Sequence, residues 1–403
     1  MSADNATPAG PCAAPPRATY TLAELTAYFV KLGALGFGGP VALVGFMHRD
    51  LVERRNWISE ADYKEGLALA QLAPGPLAAQ LAIYLGYVHH GVLGATMAGV
   101  AFVLPSFAIV VALGWAYQAY GGLSWMQAVF YGVGACVIGI IAFHAVKLVR
   151  KTIGADVLLG LVAAASAVVT IATETEYIGF FLGAGLLVWL LRTPRRTSSG
   201  AAIAAPLVAG AGFDLGGRDT ETLSQIFWFF TKAGAFVFGS GLAIVPFLYS
   251  GVVKEYGWLD DRQFLDAVAV AMITPGPVVI TVGFIGYLVD GLAGAGLASL
   301  ATFLPCYLFT ILPAPFFKRY GQRPGIVAFV EGVTAAAIGA ICGAVVVLGR
   351  RTLLDDLWRP ELPKLGILIV TLAPLAWRRK LPEPVLVLAA AIAGLVIYPY
   401  VHG

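Results

Sequence analysis

Proline-glycine-proline interrupts an apolar stretch twice in this chain, in QLAPGPLAAQ (71–80) and in MITPGPVVIT (272–281). Each proline removes a backbone donor and its ring collides with the preceding turn, so no α-helix runs unbroken through either triplet. The flanking residues are nevertheless those of a buried helix. Composition makes the breaks more demanding: 59% of the 403 residues are hydrophobic and 12% charged, with mean hydropathy +0.82. Soluble domains carry roughly 25% charged residues. Runs such as 153–172 and 177–191 approach or reach the roughly 20 residues that cross a hydrocarbon core. In a bilayer, backbone groups freed by a break must be received by protein or by a water-filled cavity. The expected fold is therefore an all-α polytopic membrane protein with Gly/Pro-broken helices facing its interior.

The two triplets belong to a longer repeat. KLGALGFGGPVALVGF (31–46) matches KAGAFVFGSGLAIVPF (232–247), which sets Lys31 on Lys232, Phe37 on Phe238 and Gly38 on Gly239. The same register puts Trp57 on Trp258 and the first triplet on the second. It then slips by one residue, and Gly86, Gly91, Leu104-Pro105 and Gly132 fall on Gly286, Gly291, Leu304-Pro305 and Gly332. So many matched Gly, Pro and Trp residues identify a duplicated membrane domain. The expected boundaries are a tail at 1–21, a first repeat at 22–192, a linker at 193–222 and a second repeat at 223–403. Residues 1–20 lack a continuous apolar core, so they read as a disordered tail and not as a signal peptide. Each half is expected to hold an interrupted segment (25–47; 224–250), a charged connector (48–65; 254–266) and a triplet-interrupted segment (66–88; 267–289). A proline-containing span, a Gly-rich span and two closing spans follow, giving roughly a dozen apolar segments in all.

Basic residues change sides between the halves. The connector 48–65 carries Arg49, Arg54, Arg55 and Lys64, whereas the turn 119–124 has no Lys or Arg. In the second half the turn carries Lys318, Arg319 and Arg323, against only Lys254 and Arg262 on the connector. Basic loops face the cytoplasm, so the swap predicts halves of inverted topology.

Inverted repeats with matched broken segments point to a transporter's binding site. A half-helix that starts after a break aims free N–H groups and its positive dipole end into the cavity, which suits an anion. The candidate substrate-binding residues are Gly36, Phe37, Gly38, Gly39 and Pro40 at the first break and Gly239, Ser240 and Gly241 at its mate. Gln71, Pro74, Gly75 and Pro76, with Thr274, Pro275, Gly276 and Pro277, complete the set at the triplets. Lys31 and Lys232 sit deep in apolar segments, five residues before their breaks, where lysine is costly and usually faces a pathway. Two such charges related by a pseudo-twofold axis would suit a dianion; the alternative is that each snorkels to an interface. Glu331, the mate of Tyr131, is a candidate proton-coupling acid or the salt-bridge partner of a neighbouring lysine. Glu65 and Asp266, nine residues before their triplets, are either proton-coupling candidates or complements to a helix dipole at its start. His144 reads as packed, Trp57 and Trp258 as interfacial anchors, and the small residues of 91–100 and 291–300 as helix-packing surfaces.

Other classes of chemistry find no support. The four cysteines make no CxxC pair and the five histidines have no metal-ligand spacing, so no metal or cofactor is expected. There is no HExxH, no GxSxG and no nucleophile–base set, so an intramembrane enzyme is not indicated. A net charge of +3 on so long a chain says nothing of nucleic acid.

The GFGGP segment, its Trp-containing connector, ALAQLAPGP, GVLGA and FVLPSF (102–107), with TPGP and FLP (303–305) in the second half, resemble the chromate ion transporter (CHR) family in its long, two-domain form. The resemblance covers about residues 22–401. It implies a multi-pass protein of the bacterial inner membrane that exports chromate, confers chromate resistance and has homologous halves in opposite orientation. Sulfate exchange and the proton gradient are the alternatives it implies for coupling. A homodimer is an open possibility for assembly, and an oxyanion importer or a passive anion channel are the competing functions. Gly241 stands where proline would fall, and Ala73 precedes the first triplet where Thr274, with a hydroxyl to donate, precedes the second. The halves are expected to contribute unequally.

Overall fold

The computed structural model describes residues 20–37, 39–120, 124–174, 178–193, 218–237, 241, 244–320, 323–354, 361–377 and 383–402. Among them the chain is helical, without a β-sheet. The first half comprises α1 (Leu22–Leu35), α2 (Gly39–Met47), α3 (Glu60–Leu72), α4 (Leu77–Tyr120), α5 (Ser124–Leu148), α6 (Val157–Thr173) and α7 (Ile178–Arg192). The second comprises α8 (Arg218–Ala235), α9 (Ile244–Tyr249), α10 (Asp261–Ile273), α11 (Thr281–Ile311), α12 (Ala314–Tyr320), α13 (Pro324–Leu353), α14 (Leu362–Ala376) and α15 (Glu383–His402). Among the described residues five helical stretches are long and apolar enough to cross a membrane: Leu77–Tyr120, Trp125–Ile153, Val278–Phe317, Pro324–Leu353 and Glu383–Val401. The tail 1–19 and most of the linker lie outside the described residues, as do Gly38, Phe238, Gly239 and Ser240.

Helix starts follow local sequence. Thr21 and Glu24 form a capping box on α1, and Asp260 and Gln263 do the same on α10. Ser59 caps α3 and Asp156 caps α6. Each satisfies backbone donors that the first turn leaves open.

Each triplet separates two helices, and the packing of its arms decides whether the segment runs on or turns back. Helix α3 ends at Leu72 and α4 starts at Leu77. A methyl group on Gly66 would lie 3.0 Å from Cγ of Tyr84, eighteen residues along, which a straight helix would place about 27 Å away. The two arms are therefore antiparallel, with Pro74-Gly75-Pro76 at the tip. At 13 residues for α3, the arm is about 20 Å long, short of the roughly 30 Å hydrocarbon core, so it is too short to cross on its own. Helix α4 also folds back, at Gly91, whose φ of 58° and ψ of −149° are not helical. Gly86 there packs against Gly94 and Ala98. Its first arm, 77–90, completes the hairpin, and its second, 92–120, is long enough to span. Gly291 (φ 54°) does the same in α11, where Gly286 packs on Gly294 and Ala298. The expected packing role of 91–100 and 291–300 thus acts within each fold-back.

The first breaks are hairpin tips as well. The Tyr28 hydroxyl donates to the Phe46 carbonyl across α1 and α2, and Phe229 stacks on Phe247 across α8 and α9, centroids 5.5 Å apart. Arg55 covers Trp57, which stacks on Tyr20 at 4.9 Å, and Trp258 stacks on Tyr256 at 4.4 Å. Both tryptophans are half-buried in these aromatic clusters.

The halves interlock. Helices α6 and α7 of the first half pack on α13 of the second, where Gly332 meets Ala184 and Gly339 meets Ala163 and Ser166. Reciprocally, α14 and α15 pack on α5, where Gly132 meets Ala390 and Gly139 meets Leu368. Glycine lets these backbones approach as closely as membrane helix interfaces require. Helices α5 and α13, mates in the repeat, touch through Gly134 with Thr352 and Ile138 with Gly349, so they run in opposite senses. Polar clamps tie down both exchanged pairs. Glu331 on α13 pairs with Arg192 of α7, which also holds the α6 cap Asp156; Glu331 thus makes a salt bridge to an arginine of the other half and not to a neighbouring lysine. Its mate Tyr131 donates to Glu361 at 3.0 Å, which Lys364 also holds at 2.8 Å.

Candidate substrate site at the helix breaks

Each triplet tip meets the other half's first break. The Gly276 amide donates to the Gly36 carbonyl at 2.9 Å, and the Gly75 amide donates to the carbonyl of Val237, the mate of Gly36. The surroundings follow the same exchange: Gly276 packs against Ser106, and Gly75 against Cys306, which is the mate of Ser106. Gly241 lies beside Val278 and Val279 just after the second triplet. Helix breaks from both halves thus converge between them, with the starts of α2 and α4 following directly after the tips. Glycine is required at both triplets, because φ is +144° at Gly75 and +95° at Gly276, conformations that L side chains rarely adopt.

These contacts alter what the predicted residues do. In this state the amides of Gly75 and Gly276 serve backbone carbonyls of the opposite half and are not free donors. The Thr274 hydroxyl donates to the Val270 carbonyl at 2.6 Å, so it too is engaged within its own helix. Lys31 and Lys232 lie on exposed faces of α1 and α8, opposite the Leu25, Phe29 and Gly33 face that packs inward. Gln71 and Phe37 are exposed and Pro40 half-buried. The second triplet is buried throughout, whereas Pro74 is only half-buried. Beside it an apolar cleft of ≈ 420 Å³ runs between Leu69, Leu72 and Pro74 on one side and Leu308, Leu312 and Phe316 on the other. The halves differ at this level.

Glu65 and Asp266 do not sit at helix starts. Both lie in the second turn of their helices, beyond the first turn where the dipole acts. Each is instead held by a phenol: Tyr84 for Glu65, and Tyr117 for Asp266 at 2.8 Å. His144 bonds Glu383 at 2.9 Å, and the Glu383 carboxylate reaches to within 3.8 Å of a methyl position on Gly39.

Sequence reasoning missed Gln80, Ser106 and Tyr117. Gln80 is fully buried; its amide donates to the Pro74 carbonyl at 2.8 Å while its Oε1 has no partner. A glutamine in an apolar arm four residues after a helix break was the available signal. Among the described residues no cluster of three or more His, Cys, Asp or Glu side chains is placed to hold a metal ion.

A duplicated, all-helical chain with four breaks gathered between its halves matches one family model, the chromate transporter, twice, over residues 23–189 and 224–395. The chain belongs to the chromate transporter family. It is 63% identical over 388 residues to the chromate transport protein of Cupriavidus metallidurans, covering 95% of each chain. A probable chromate transport protein of Synechococcus elongatus is 60% identical over 94% of this chain and 96% of its own. The chromate transport protein of Pseudomonas aeruginosa is 32% identical over 96% and 94%. No solved structure matches the chain. The two family segments coincide with the two structural halves, and these relatives are named as transport proteins, not enzymes. The long apolar helices and the family together make this a multi-pass membrane protein.

Proposed function

We propose that this chromate transporter family member is a secondary active transporter that exports chromate, and handles sulfate, across the bacterial inner membrane and so confers chromate resistance. The observation that carries the substrate is the 63% identity, end to end, with a protein named for chromate transport. Inverted halves are the frame for alternating access, and the opposite senses of α5 and α13 support that inversion alongside the exchange of basic loops. The four breaks form the substrate site. Sealed tips give up their amides to the opposite half, and withdrawal of a tip frees them for a tetrahedral dianion. Lys31 and Lys232 supply positive charge at its approaches from α1 and α8.

The test is saturable chromate uptake into everted vesicles, which present the cytoplasmic face outward. Wild type accumulates chromate above equilibrium with its electrochemical gradient, and the Lys31→Ala/Lys232→Ala double variant loses saturable uptake. Accumulation only to equilibrium marks a passive channel, and accumulation only into right-side-out vesicles marks an importer. Wild-type uptake in the double variant removes the lysines from the site.

A further inference from the structure

Asp266 is the most deeply buried acid among the described residues, at 3% exposure, and no ion pair within 4.0 Å neutralises it. Its Oδ2 accepts the Tyr117 hydroxyl at 2.8 Å. The charges that act on it, Arg262 and Asp260, lie at the start of its own helix and oppose one another. The Tyr117 ring that carries this hydroxyl is itself packed edge-on by Phe284 and Phe130, centroids 5.6 and 5.4 Å away. Holding a bare carboxylate away from water is unfavourable, and the group avoids it by taking up a proton.

The duplication shows that this acid is more than a local accident. Glu65 holds the matching position, and Tyr84 from its own hairpin supplies the phenol. In the second half the mate of Tyr84 is Phe284, which has no hydroxyl to give. Tyr117, from the spanning arm of α4 in the first half, takes its place and packs edge-on against that same Phe284. A carboxyl–phenol pair is thus present in both hairpins although the tyrosine comes from different elements. In the second it bridges the halves: Asp266 sits on the hairpin and Tyr117 on the body against which the hairpin closes.

We propose that Asp266 is a proton-binding site of the transport cycle, with Tyr117 as its positioning hydroxyl. The inference rests on the transport function proposed above. With the second hairpin docked, the carboxyl is desolvated and holds one proton taken from water. When the hairpin withdraws from α4, water reaches the carboxylate and the proton leaves, so one proton moves per excursion and no other bond changes. Proton occupancy and hairpin position are then one equilibrium.

Proteoliposomes holding the purified protein and an internal pH dye test this. Wild type exchanges external for internal chromate, and an imposed pH gradient changes its net chromate flux at least tenfold. Asp266→Asn keeps chromate–chromate exchange but loses the pH-driven flux and the accompanying lumenal pH change. Tyr117→Phe keeps coupling and displaces the flux–pH profile; a merely structural hydroxyl would lower exchange and driven flux alike without moving the profile. Undiminished pH-driven flux in Asp266→Asn overturns the proposal. If Asp266→Asn fails to fold, an unmoved profile in Tyr117→Phe overturns it. Wild-type exchange with a net flux indifferent to the imposed pH gradient overturns the proton site alone, and wild type that moves no chromate overturns the transport function with it.

Discussion

Substituting Gly75 by alanine gives a quantitative measure of how tightly the first hairpin tip is docked. The backbone there has φ +144°, a region open essentially to glycine alone and costing about 1–3 kcal/mol for another residue. The added methyl would lie 2.6 Å from Nε2 of Gln80 and 3.2 Å from Cβ of Cys306. Crowding of that degree in a packed interior costs about 1–3 kcal/mol more, even after the Gln80 amide gives way. Both costs apply while the tip is docked and are relieved when it withdraws, so the docked state loses about 3 kcal/mol. At 1.4 kcal/mol per tenfold, the undocked population rises roughly 100-fold. Cys306 reports on this directly because it is fully buried against the tip. With Cys12, Cys136 and Cys342 replaced by alanine, the rate of Cys306 alkylation by N-ethylmaleimide follows the open population when opening and closing are fast. The expected result is a rate increase of roughly 30- to 300-fold in Gly75→Ala over its parent. A rate within twofold of the parent would refute both the docked geometry and the strain assigned to it. The matching substitution Gly276→Ala strains the other tip, whose neighbour is Ser106, and the thiol of Ser106→Cys reports it in the same way.

Two further outcomes follow from the ion pairs. The hydrogen bond from Lys254, with the Arg351 charge, holds the Glu174 carboxyl below the usual carboxylate range. A carboxyl depressed on folding contributes stability above its unfolded pKa and loses it as pH falls through the folded value. The Tm deficit of Glu174→Gln relative to wild type in detergent should therefore be full at neutral pH and vanish in strongly acidic buffer; a deficit that persists there would contradict the pairing. Arg192 neutralises both Asp156 and Glu331, and removing it leaves two carboxylates uncompensated, a larger penalty than removing the whole cluster. Arg192→Leu should lower Tm by several degrees, and adding Glu331→Leu should recover part of the loss. Additive losses would refute the clamp.

The repeat, the breaks and the membrane class were legible in sequence because each rests on local chemistry that no tertiary contact overrides. A proline pair stops a helix whatever surrounds it, and matched Gly, Pro and Trp positions survive in register. What the breaks do next was not legible. Whether a triplet kinks a crossing helix or caps a hairpin depends on docking, and the decisive residues, Gly66 under Tyr84 and Gly86 under Gly94, read alone as ordinary small residues in apolar helices. The exchange of α6 and α7 for α14 and α15 was equally hidden, because each closing pair has the same apolar character and either half offers it a glycine-rich helix. Lys31 and Gln80 show the limit at the site itself. A lysine placed deep in an apolar segment drew the sequence argument, yet its helix turns it to the exposed face, while the neutral Gln80, six residues beyond Pro74, is the side chain that reaches the tip.

Duplication also lets one half serve as the control for the other. Asp261 and Glu60 begin the matched helices α10 and α3. Asp261 is bound by Arg351 at 2.8 Å, and Arg351 also holds Glu174 at 2.6 Å, joining the hairpin base to α13 and to the end of α6. Glu60 is bound by His48 and Lys64, both within its own half, and Lys151, the mate of Arg351, lies exposed. The second hairpin is thus fastened to its surroundings at its base by Arg351, at mid-arm by Tyr117 and at its tip by Gly36. The first is held at its tip through Val237; its mid-arm acid turns to its own Tyr84, and an apolar cleft flanks Pro74. The two hairpins descend from one sequence yet are fastened differently, because Phe284 has no hydroxyl where Tyr84 has one, and Tyr117 supplies it from the other half.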